Sequence, residues 1–529
     1  MVEKESSESE RLLGRDAQRN NILAARIIAE TIKTTLGPKG MDKMLVDRAG
    51  GIIVTNDGVT ILREMEIEHP AAKMIVEISK TQEKEVGDGT TTAVMLAGKL
   101  LENAEKLLDK KIHPTTITSG YRVAEKEALK ILDEISFEID SKEELLKIAQ
   151  TAMTGKGAEY LKEKFSKIIV DAVEIVAEDK IFEVGDIKIE KQKGKSIEDT
   201  ELVHGVILDS GKVNIDMPKK IFGSRILLLE EGLEVKELEI DSRISVSRPD
   251  QIQSFLDEEE LILKSKVEKI KKLGANVLFV KGGIDELVSF HLAKERIYAV
   301  SRVSKEELQN ISKATGGKII SKLSEASAEY LGHSKEVYEG KYGDEFMTYV
   351  MGCKNPKSLT ILIKGGTDHI VDEIERAFND ALGDVCVALR DSKIVAGGGA
   401  VEVELARRLR KFAMSVRGRE KLAVEEFASA MEFVPSTLAE NAGMDPIDIM
   451  GELNLSHESG GKNFGINLFN GKVEDMINVG IIEPLRVKTQ AISSASEVAI
   501  MILRIDDVIA AKKISGGKGG RLRKFEDYE

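Results

Sequence analysis

The sequence predicts a multidomain α+β protein in which a mainly helical domain is built from both ends of the chain and an α/β domain is inserted between them. Apolar residues recur at helical spacing in the first and last quarters, whereas short β-rich pieces alternate with helical patterns in the middle. The length of 529 residues allows three or four domains at roughly 150 residues each. That the two helical ends pack together is an inference from this order.

The N-terminal quarter predicts helices joined by short strands and turns. A helical stripe of apolar residues runs over 17–36 and is stopped by Gly37-Pro38. The other predicted elements are helices over 70–85 and 90–108, which residues 86–89 separate, and strands at 44–46 and 52–54. Asn56, Asp57 and Gly58 then supply turn chemistry, since Asn and Gly tolerate a left-handed backbone.

The middle of the chain predicts an α/β domain, because strands and helices alternate there. The elements, in order, are β-rich pieces over 183–246, a long helix over 249–273, a strand at 277–280, a helix over 284–293, a helix begun by the capping box of Ser304 and Glu307, and a strand at 359–363. Helices dominate after that, starting with an amphipathic helix from 367 to about 389.

Composition excludes several classes of function. A net charge of −14 argues against nucleic acid as the main partner, because phosphate backbones are bound by a positive field. No stretch reaches the roughly 20 apolar residues of a membrane helix, and the acidic opening is no secretory signal. Two cysteines and seven scattered histidines form neither a disulfide framework nor a metal-ligand pattern. We therefore expect a cytoplasmic protein without nucleic-acid or membrane partners.

The most informative motif is the hexapeptide from Gly87 to Thr92. Its glycines allow a close backbone approach to a phosphate, the start of the following helix favours an anion, and three threonine hydroxyls add donors. Asp88 is placed to hold Mg²⁺, which prefers carboxylate, water and phosphate oxygens. The alternative is an ordinary Asp-Gly turn followed by a threonine cap.

Other candidate positions are ambiguous when each is taken alone. Residues 36–40 form either a second phosphate-facing loop or a plain helix stop, and Gly397-Gly398-Gly399 is either a nucleoside-facing loop or a hinge. Asp380 is a single carboxylate on a charged helix, where solvation is the usual outcome. Lys156 resembles half of a P-loop, but Gly157 follows it where that motif requires Ser or Thr. With no complete Walker A motif in the sequence, a P-loop ATPase is disfavoured.

Taken together and in this order, the motifs resemble those of group II chaperonins. The resemblance is closest to archaeal thermosome subunits and more distant to the cytosolic eukaryotic chaperonin. It runs from Gly14-Arg15-Asp16-Ala17-Gln18 to Leu503-Arg504-Ile505-Asp506-Asp507, and residues 36–45, 54–58 and 82–92 match the phosphate-binding region of that family.

The resemblance implies the chaperonin fold, with three domains. A mainly helical equatorial domain would hold ATP and most ring contacts, a small intermediate domain would transmit the nucleotide state, and an α/β apical domain with a helical protrusion would bind clients. The implied boundaries are 1–143 and 398–529 for the equatorial domain, 144–210 and 363–397 for the intermediate domain, and 211–362 for the apical domain, with the protrusion at about 241–273.

The resemblance also implies the residues of an ATPase site. Asp380 would be the catalytic aspartate, acting once its domain closes over ATP, and Asp57 would help to position the water or a cation. Asp88 would hold Mg²⁺, and Lys156 would sense the γ-phosphate. The residues expected to contact ATP or ADP are Leu36, Gly37, Pro38, Gly89, Thr90, Thr91, Thr92, Lys156, Gly398, Gly465 and Glu483.

The implied function is that of an ATP-driven chamber of two stacked rings, built from copies of this chain, from paralogous subunits or from both. It would enclose unfolded client proteins with a built-in lid, and the helices from 284 and 304 would form the client surface. Residues 261–263 either contact lid or client, or pack against the strand at Val277. The charged C-terminal tail at 516–529 differs from the Gly/Met-rich tails of many relatives and indicates a specialised paralogue.

Two competing hypotheses remain. The chain could be a structural or holding subunit that binds ATP with little turnover, but the presence of Asp57, Asp88 and Asp380 favours hydrolysis. A small-molecule kinase has only generic phosphate loops in its favour. Free phosphate as the product would indicate an ATPase, and a phosphorylated acceptor would indicate a kinase.

Overall fold

The structure is a computed structural model that describes residues 11–46, 50–157, 159–177, 184–234, 249–342, 345–353 and 358–509. The N-terminal part is mostly helical. Its elements are β1 (Arg11–Leu13), α1 (Gly14–Lys33), β2 (Lys43–Val46), β3 (Ile52–Thr55), α2 (Gly58–Glu64), α3 (Pro70–Glu85), α4 (Thr90–Asp109), α5 (Pro114–Ile135) and β4 (Phe137–Glu138).

The first helix differs from its prediction at both ends, whereas α3 and α4 agree with theirs to within a residue. α1 begins at Gly14 and ends at Lys33, three residues before the predicted end. The amides of Thr35 and Leu36 bond to carbonyls three residues back, so the chain tightens and leaves the helix before Gly37. Leu36 is therefore part of a loop, which matters for the site described below.

The central part combines a small helical unit with a larger sheet. Its elements are α6 (Lys142–Met153), α7 (Lys162–Val176), β5 (Ile187–Lys193), β6 (Glu201–Val203), β7 (Gly205–Leu208), β8 (Lys220–Leu229), α8 (Pro249–Leu273), β9 (Val277–Val280), α9 (Glu286–Lys294), β10 (Tyr298–Val300), α10 (Lys305–Thr315), β11 (Ile319–Ile320), β12 (Gly332–Tyr342), β13 (Glu345–Met351) and β14 (Leu359–Gly365). The capping box predicted at Ser304 is present, with both reciprocal hydrogen bonds to Glu307.

Helices dominate the C-terminal part. Its elements are α11 (Asp368–Asp391), β15 (Lys393–Ala396), α12 (Ala400–Ala413), α13 (Glu420–Met431), α14 (Phe433–Asn441), α15 (Pro446–Glu458), β16 (Phe464–Asn467), β17 (Lys472–Asp475), α16 (Met476–Val479), β18 (Ile482–Pro484), α17 (Leu485–Leu503) and β19 (Asp507–Ile509). β19 pairs antiparallel with β1, and β15 pairs with both β4 and β18.

One hydrophobic core joins the two ends of the chain. It is formed by apolar faces of α1, α3, α4 and α5 from the N-terminal part and of α12, α13 and α17 from the C-terminal part. Helix α4 lies at its centre, with its apolar residues from Ala93 to Leu107 almost completely buried. Burial of this size, at about 25 cal/mol per Å² of apolar surface, is the main favourable contribution to folding.

The middle of the chain has cores of its own. α6, α7 and α11 pack with β5 and β14 around a second core. The larger unit is a mixed seven-stranded sheet in the order β10-β9-β8-β12-β13-β7, with β11 paired to β8. One face of this sheet packs under α8 and α9, and the other packs under α10.

Strand pairing places two boundaries between the apical and intermediate units a few residues away from their expected positions. β7 (Gly205–Leu208) pairs with β13 and belongs to the large sheet, although residues up to 210 were assigned to the intermediate unit. β14 (Leu359–Gly365) pairs with β5 and β6 and belongs to the smaller unit, although residues up to 362 were assigned to the apical unit. Both boundaries are fixed by pairing between strands that lie 140 or more residues apart in the sequence, and local composition carries no signal for such pairing.

The long helix α8 is both core and surface. Residues 241–248 of the expected protrusion lie outside the described residues, as does the C-terminal tail from 510. Leu263 is 1% exposed and packs in the core beneath the sheet, whereas Leu261 and Ile262 are 65% and 53% exposed. Leu263 therefore follows the core-packing alternative, whereas Leu261 and Ile262 do not, and contact with lid or client stays a prediction for these two side chains. No helix in the described part of the chain is long and apolar enough to cross a membrane.

Candidate nucleotide site

A cavity of about 400 Å³ lies between the helical core of the chain ends and helix α11. Its walls come from many separate stretches of sequence, from Thr35 to Ala491. The predicted residues that line it are Leu36, Gly37, Pro38, Asp57, Asp88, Gly89, Thr90, Thr91, Thr92, Lys156, Asp380, Gly398 and Glu483. The fold thus brings together residues that lie more than 400 positions apart.

Gly465 is the one predicted contact residue that does not line this cavity. An added Cβ at Gly465 would lie 2.8 Å from the carbonyl oxygens of both Gly397 and Gly398, so the glycine supports that loop from behind. Ile466 and Asn467 line the wall instead.

One end of the cavity is formed by the N-terminus of α4. Gly89 is its N-cap with φ 79°, and no side chain among the described residues caps the first turn. The first amides of a 20-residue helix therefore point into the cavity without an internal partner, which suits an anion. Gln82 fixes the loop from below, because its side-chain amide donates to the carbonyls of Asp88 (2.8 Å) and Val487 (3.2 Å).

A second uncapped helix begins at the opposite wall. Gly399 is the N-cap of α12 with φ 78°, again without a side-chain cap among the described residues. Gly398 also has a positive φ, and an added Cβ there would lie 2.9 Å from the carbonyl oxygen of Ile466. The triple glycine therefore packs tightly against β16, which favours a shaped wall over the alternative of a free hinge.

Asp57 is already engaged as the N-cap of α2. Its carboxylate accepts hydrogen bonds from the amides of Val59 (3.4 Å) and Thr60 (2.9 Å) and from the Thr60 hydroxyl (2.6 Å). A carboxylate has about four lone-pair sites, so little capacity is left for a further ligand. The carboxylate is held in a fixed direction on the cavity wall.

Replacing Asp57 by Ala removes this cap, so we expect the free energy of unfolding to fall by about 1 kcal/mol. Asn caps a helix nearly as well, so Asp57→Asn should keep most of the stability while removing the charge. Thermal unfolding of the two variants measures the difference. Equal loss in both would show that the charge of Asp57, and not its capping bonds, stabilises this part of the fold.

Lys156 and Asp380 form an ion pair in the wall of the cavity. The Lys156 Nζ lies 2.5 Å from Asp380 Oδ2 and 3.7 Å from Asp88 Oδ1. The loop that carries Lys156 packs against the 36–40 loop, because an added Cβ at Gly155 would lie 2.6 Å from Pro38 Cα. It is also held by the Asn56 side chain, which donates to the Gly155 carbonyl at 2.9 Å.

Burial and nearby charge shift the pKa of both groups. Burial raises the pKa of Asp380 to about 7; the Lys156 ammonium opposes this shift, and the carboxylates of Asp88 and Asp57 add to it. Burial by itself lowers the pKa of Lys156, but the carboxylates of Asp380 and Asp88 outweigh burial and raise it above its usual value. The lysine therefore stays charged, while Asp380 exchanges its proton near neutral pH.

Two buried side chains of the site were missed by the sequence analysis. Asp384 is 3% exposed, lines the cavity one helical turn after Asp380, and has one oxygen without a hydrogen-bond partner among the described residues. Burial, followed by the charge of Asp88, raises its pKa. The spacing of four residues from Asp380 was the only sequence signal that could have pointed to it.

Lys488 is the second missed residue. It is 7% exposed and lies between Glu483 (2.7 Å) and Glu402 (3.0 Å). Burial lowers the pKa of Lys488 by itself, but the two carboxylates outweigh it, so the lysine stays protonated. It therefore offsets part of the negative charge of the wall to which Glu483 belongs.

The donor set fits a magnesium ion that arrives with its nucleotide. Among the residues that the structure describes, no group of three or more His, Cys, Asp or Glu side chains is arranged to hold a metal by itself. Mg²⁺ is usually held by one or two carboxylates together with substrate phosphates and water. Asp88, beside the uncapped start of α4, is the carboxylate placed for such a ligand set.

Comparison with known proteins places the chain in a family. Residues 28–513 match the TCP-1/cpn60 chaperonin family. The chain is 55% identical over 518 residues to thermosome subunit beta of Archaeoglobus fulgidus, covering 97% of this chain and 95% of the relative. It is 54% identical over 512 residues to the thermosome subunit of Methanopyrus kandleri, covering 96% and 94%.

A third relative, thermosome subunit alpha of Archaeoglobus fulgidus, is 53% identical over 529 residues, with 98% of this chain and 97% of the relative covered. Helical ends, a mixed α/β middle and these matches over nearly the whole chain agree with one another. The chain belongs to the TCP-1/cpn60 chaperonin family and is a group II chaperonin subunit of the archaeal thermosome type. The resemblance found in the sequence is thereby confirmed.

Proposed function

We propose that this subunit hydrolyses ATP in the cavity between α4 and α11, and that hydrolysis drives a chamber of two stacked rings that encloses unfolded proteins. The observation that carries the proposal is the contact of Lys156 with Asp380, formed beside the uncapped start of α4 and within 3.7 Å of Asp88. Phosphoryl transfer to water depends mainly on positioning and on charge neutralisation, and these groups supply both.

Each residue has a definite role in this reaction. The amides at the start of α4 and the hydroxyls of Thr90, Thr91 and Thr92 would bind the phosphates, and Lys156 would neutralise charge on the γ-phosphate as its bond to the bridging oxygen breaks. Asp380 would orient the attacking water and accept its proton. Asp88 would hold Mg²⁺, whose charge stabilises the phosphate oxygens.

The domain layout follows the shared cores. The core that joins the chain ends would be the equatorial domain, the α6–α7–α11 unit the intermediate domain, and the seven-stranded sheet with α8 the apical domain and lid. Asp380 and Lys156 belong to the intermediate unit, whereas Asp57 and Asp88 belong to the equatorial one. Dividing the groups between two domains would make hydrolysis depend on their closure. Copies of this chain or paralogues would complete the rings, and the cytoplasm remains the expected compartment.

Client binding is assigned to the outer surface of the large sheet unit. Leu287 and Phe290 of α9 are 46% and 55% exposed, and Leu261 and Ile262 are exposed on α8. Exposed apolar side chains of this size suit contact with the apolar segments of an unfolded chain. α9 corresponds to the client helix expected from 284, and Leu261 and Ile262 belong to the segment for which contact with lid or client was one expectation.

Product analysis tests the reaction. The assembled protein is incubated with Mg-ATP, and free phosphate and ADP are measured together with any phosphorylated acceptor. The proposal predicts equal amounts of phosphate and ADP. ADP without free phosphate would favour a kinase, and nucleotide binding with no turnover would favour a holding ring.

The acidity of Asp380 predicts how turnover depends on pH. A carboxyl whose pKa is raised to about 7 is protonated below that pH and cannot accept a proton, so kcat/KM should fall as the pH drops through about 7. Lys156 stays charged over this range and adds no inflection. The profile is measured between pH 6 and 8.5 with a constant concentration of fully ionised Mg-ATP. A flat profile would contradict a role of Asp380 as base.

A further inference from the structure

Helix α11 touches the loop of residues 86–89, which precedes α4 and is called the phosphate loop below. The contact is made by two glycines. Gly383 of the helix faces Gly87 of the loop so closely that an added Cβ at Gly383 would lie 2.6 Å from the Val86 carbonyl oxygen and 3.1 Å from Gly87 Cα. From the other side, a Cβ at Gly87 would lie 3.2 Å from Gly383 Cα. The two backbones therefore approach more closely than any pair of larger residues would permit.

The loop cannot easily move away from this contact. Gln82, completely buried, donates to the carbonyl of Asp88 from below, and Gly87 has a φ of 97° that other residues rarely adopt. The Val86 side chain is buried against Val387 of α11 and Val487 of α17. A side chain at position 383 would consequently push the helix and not the loop.

The same helix carries Asp380, three residues before Gly383 and close to it in space on the helix surface. Relieving the 2.6 Å approach to an ordinary contact of 3.4 Å would move α11 outward by roughly 0.8 Å. Asp380 would then lie farther from Lys156 and from the start of α4. A misplacement on the order of 1 Å commonly costs about 100-fold in rate.

We propose that the Gly383–Gly87 contact is a positioning device that sets how deeply α11 seats on the phosphate loop and thereby places Asp380 for the reaction. Gly383 does not line the cavity, so its role is that of a positioning residue. The inference rests on the proposed ATP hydrolysis, whose site it deepens. Under this proposal, turnover requires that position 383 carries no side chain, whereas nucleotide binding does not require it.

The test is Gly383→Ala in the full-length assembled protein. Ala is a better helix former than Gly, so α11 itself is not weakened. We expect kcat for Mg-ATP hydrolysis to fall about 10- to 100-fold, while the dissociation constant for Mg-ATP changes less than about threefold. The matched control is Gly451→Ala, also within a helix, where an added Cβ meets nothing within 4 Å; its kcat should stay that of the unchanged protein.

Hydrogen exchange provides a readout that does not depend on catalysis. Amides of residues 86–89 should exchange faster in Gly383→Ala than in Gly451→Ala, because the added methyl group displaces α11 from the loop that it covers. Unchanged kcat and unchanged exchange in Gly383→Ala would overturn the inference, as would loss of nucleotide binding together with kcat, since the glycine would then be needed for folding alone.

Asp380→Ala measured in parallel separates this inference from the proposed function. If Asp380→Ala stops turnover and Gly383→Ala does not, the positioning role is wrong and the ATPase stands. If the unchanged protein releases no phosphate, the proposed function fails. Hydrogen exchange at the amides of residues 86–89 then still shows whether Gly383 determines how closely α11 packs on the loop.

Discussion

Asp380→Ala is expected to lower the kcat of Mg-ATP hydrolysis by at least about 100-fold while leaving nucleotide affinity within a few fold. General base catalysis by a positioned side chain contributes about 10²- to 10⁴-fold, and among the described carboxylates of the cavity Asp380 is the one that is hydrogen-bonded to Lys156. Asp57 is fixed by its capping bonds, and Asp88 is the expected Mg²⁺ ligand.

Affinity should survive because the binding groups are elsewhere. The uncapped start of α4 and the glycine-lined wall of Gly398 do not depend on Asp380. Loss of its carboxylate also frees the Lys156 ammonium, which lies 2.5 Å away, to contact the phosphate. Phosphate release and Mg-ATP binding are measured on the same assembled preparation. Arg376→Ala on the same helix, whose pairing is to Glu373, is the matched control and should keep full turnover.

Lys488→Met is expected to destabilise the fold by about 3–5 kcal/mol, because it leaves two buried carboxylates without their cation. Glu402 and Glu483 face Lys488 at 3.0 and 2.7 Å, and burial already raises the pKa of Glu483. The loss should be measured as a lower midpoint of guanidinium unfolding at fixed protein concentration.

Protonation gives this prediction a definite pH dependence. A carboxyl whose pKa is raised by folding favours the folded state while it is protonated and loses that contribution as the pH rises through the folded pKa. Lys488→Met should therefore recover stability as the pH is lowered. Lys80→Met, which breaks an exposed pair with Glu77, should cost less than about 1 kcal/mol at any pH. An equally small loss in both variants would contradict the role of Lys488.

Local chemistry made part of the site predictable. The Gly87 to Thr92 loop could be singled out from its glycines and threonines, whereas the 36–40 loop and the triple glycine at 397–399 stayed ambiguous until the family resemblance was considered. α3 and α4 were predicted nearly to the residue, since Pro70 and Gly89 mark their first turns and the apolar spacing marks their length. Roles for Asp380 and Lys156, in contrast, came from family resemblance alone.

What could not be predicted depends on contacts between distant segments. Asp384 looks like a solvated residue of a charged helix until α11 is seated on the phosphate loop. Lys488 looks like an ordinary lysine until Glu402, 86 positions earlier, is brought to it. The Gly383–Gly87 approach has the same origin, because a glycine within a helix gives no sign of what lies across from it.

The most direct test of the central claim is recovery of a heat-denatured client enzyme by the assembled protein, with and without Mg-ATP and with Asp380→Ala as control. An ATP-driven folding chamber predicts recovery that requires Mg-ATP and is lost in Asp380→Ala, although that variant still assembles and binds nucleotide. Equal recovery without nucleotide, or undiminished recovery in Asp380→Ala, would contradict it.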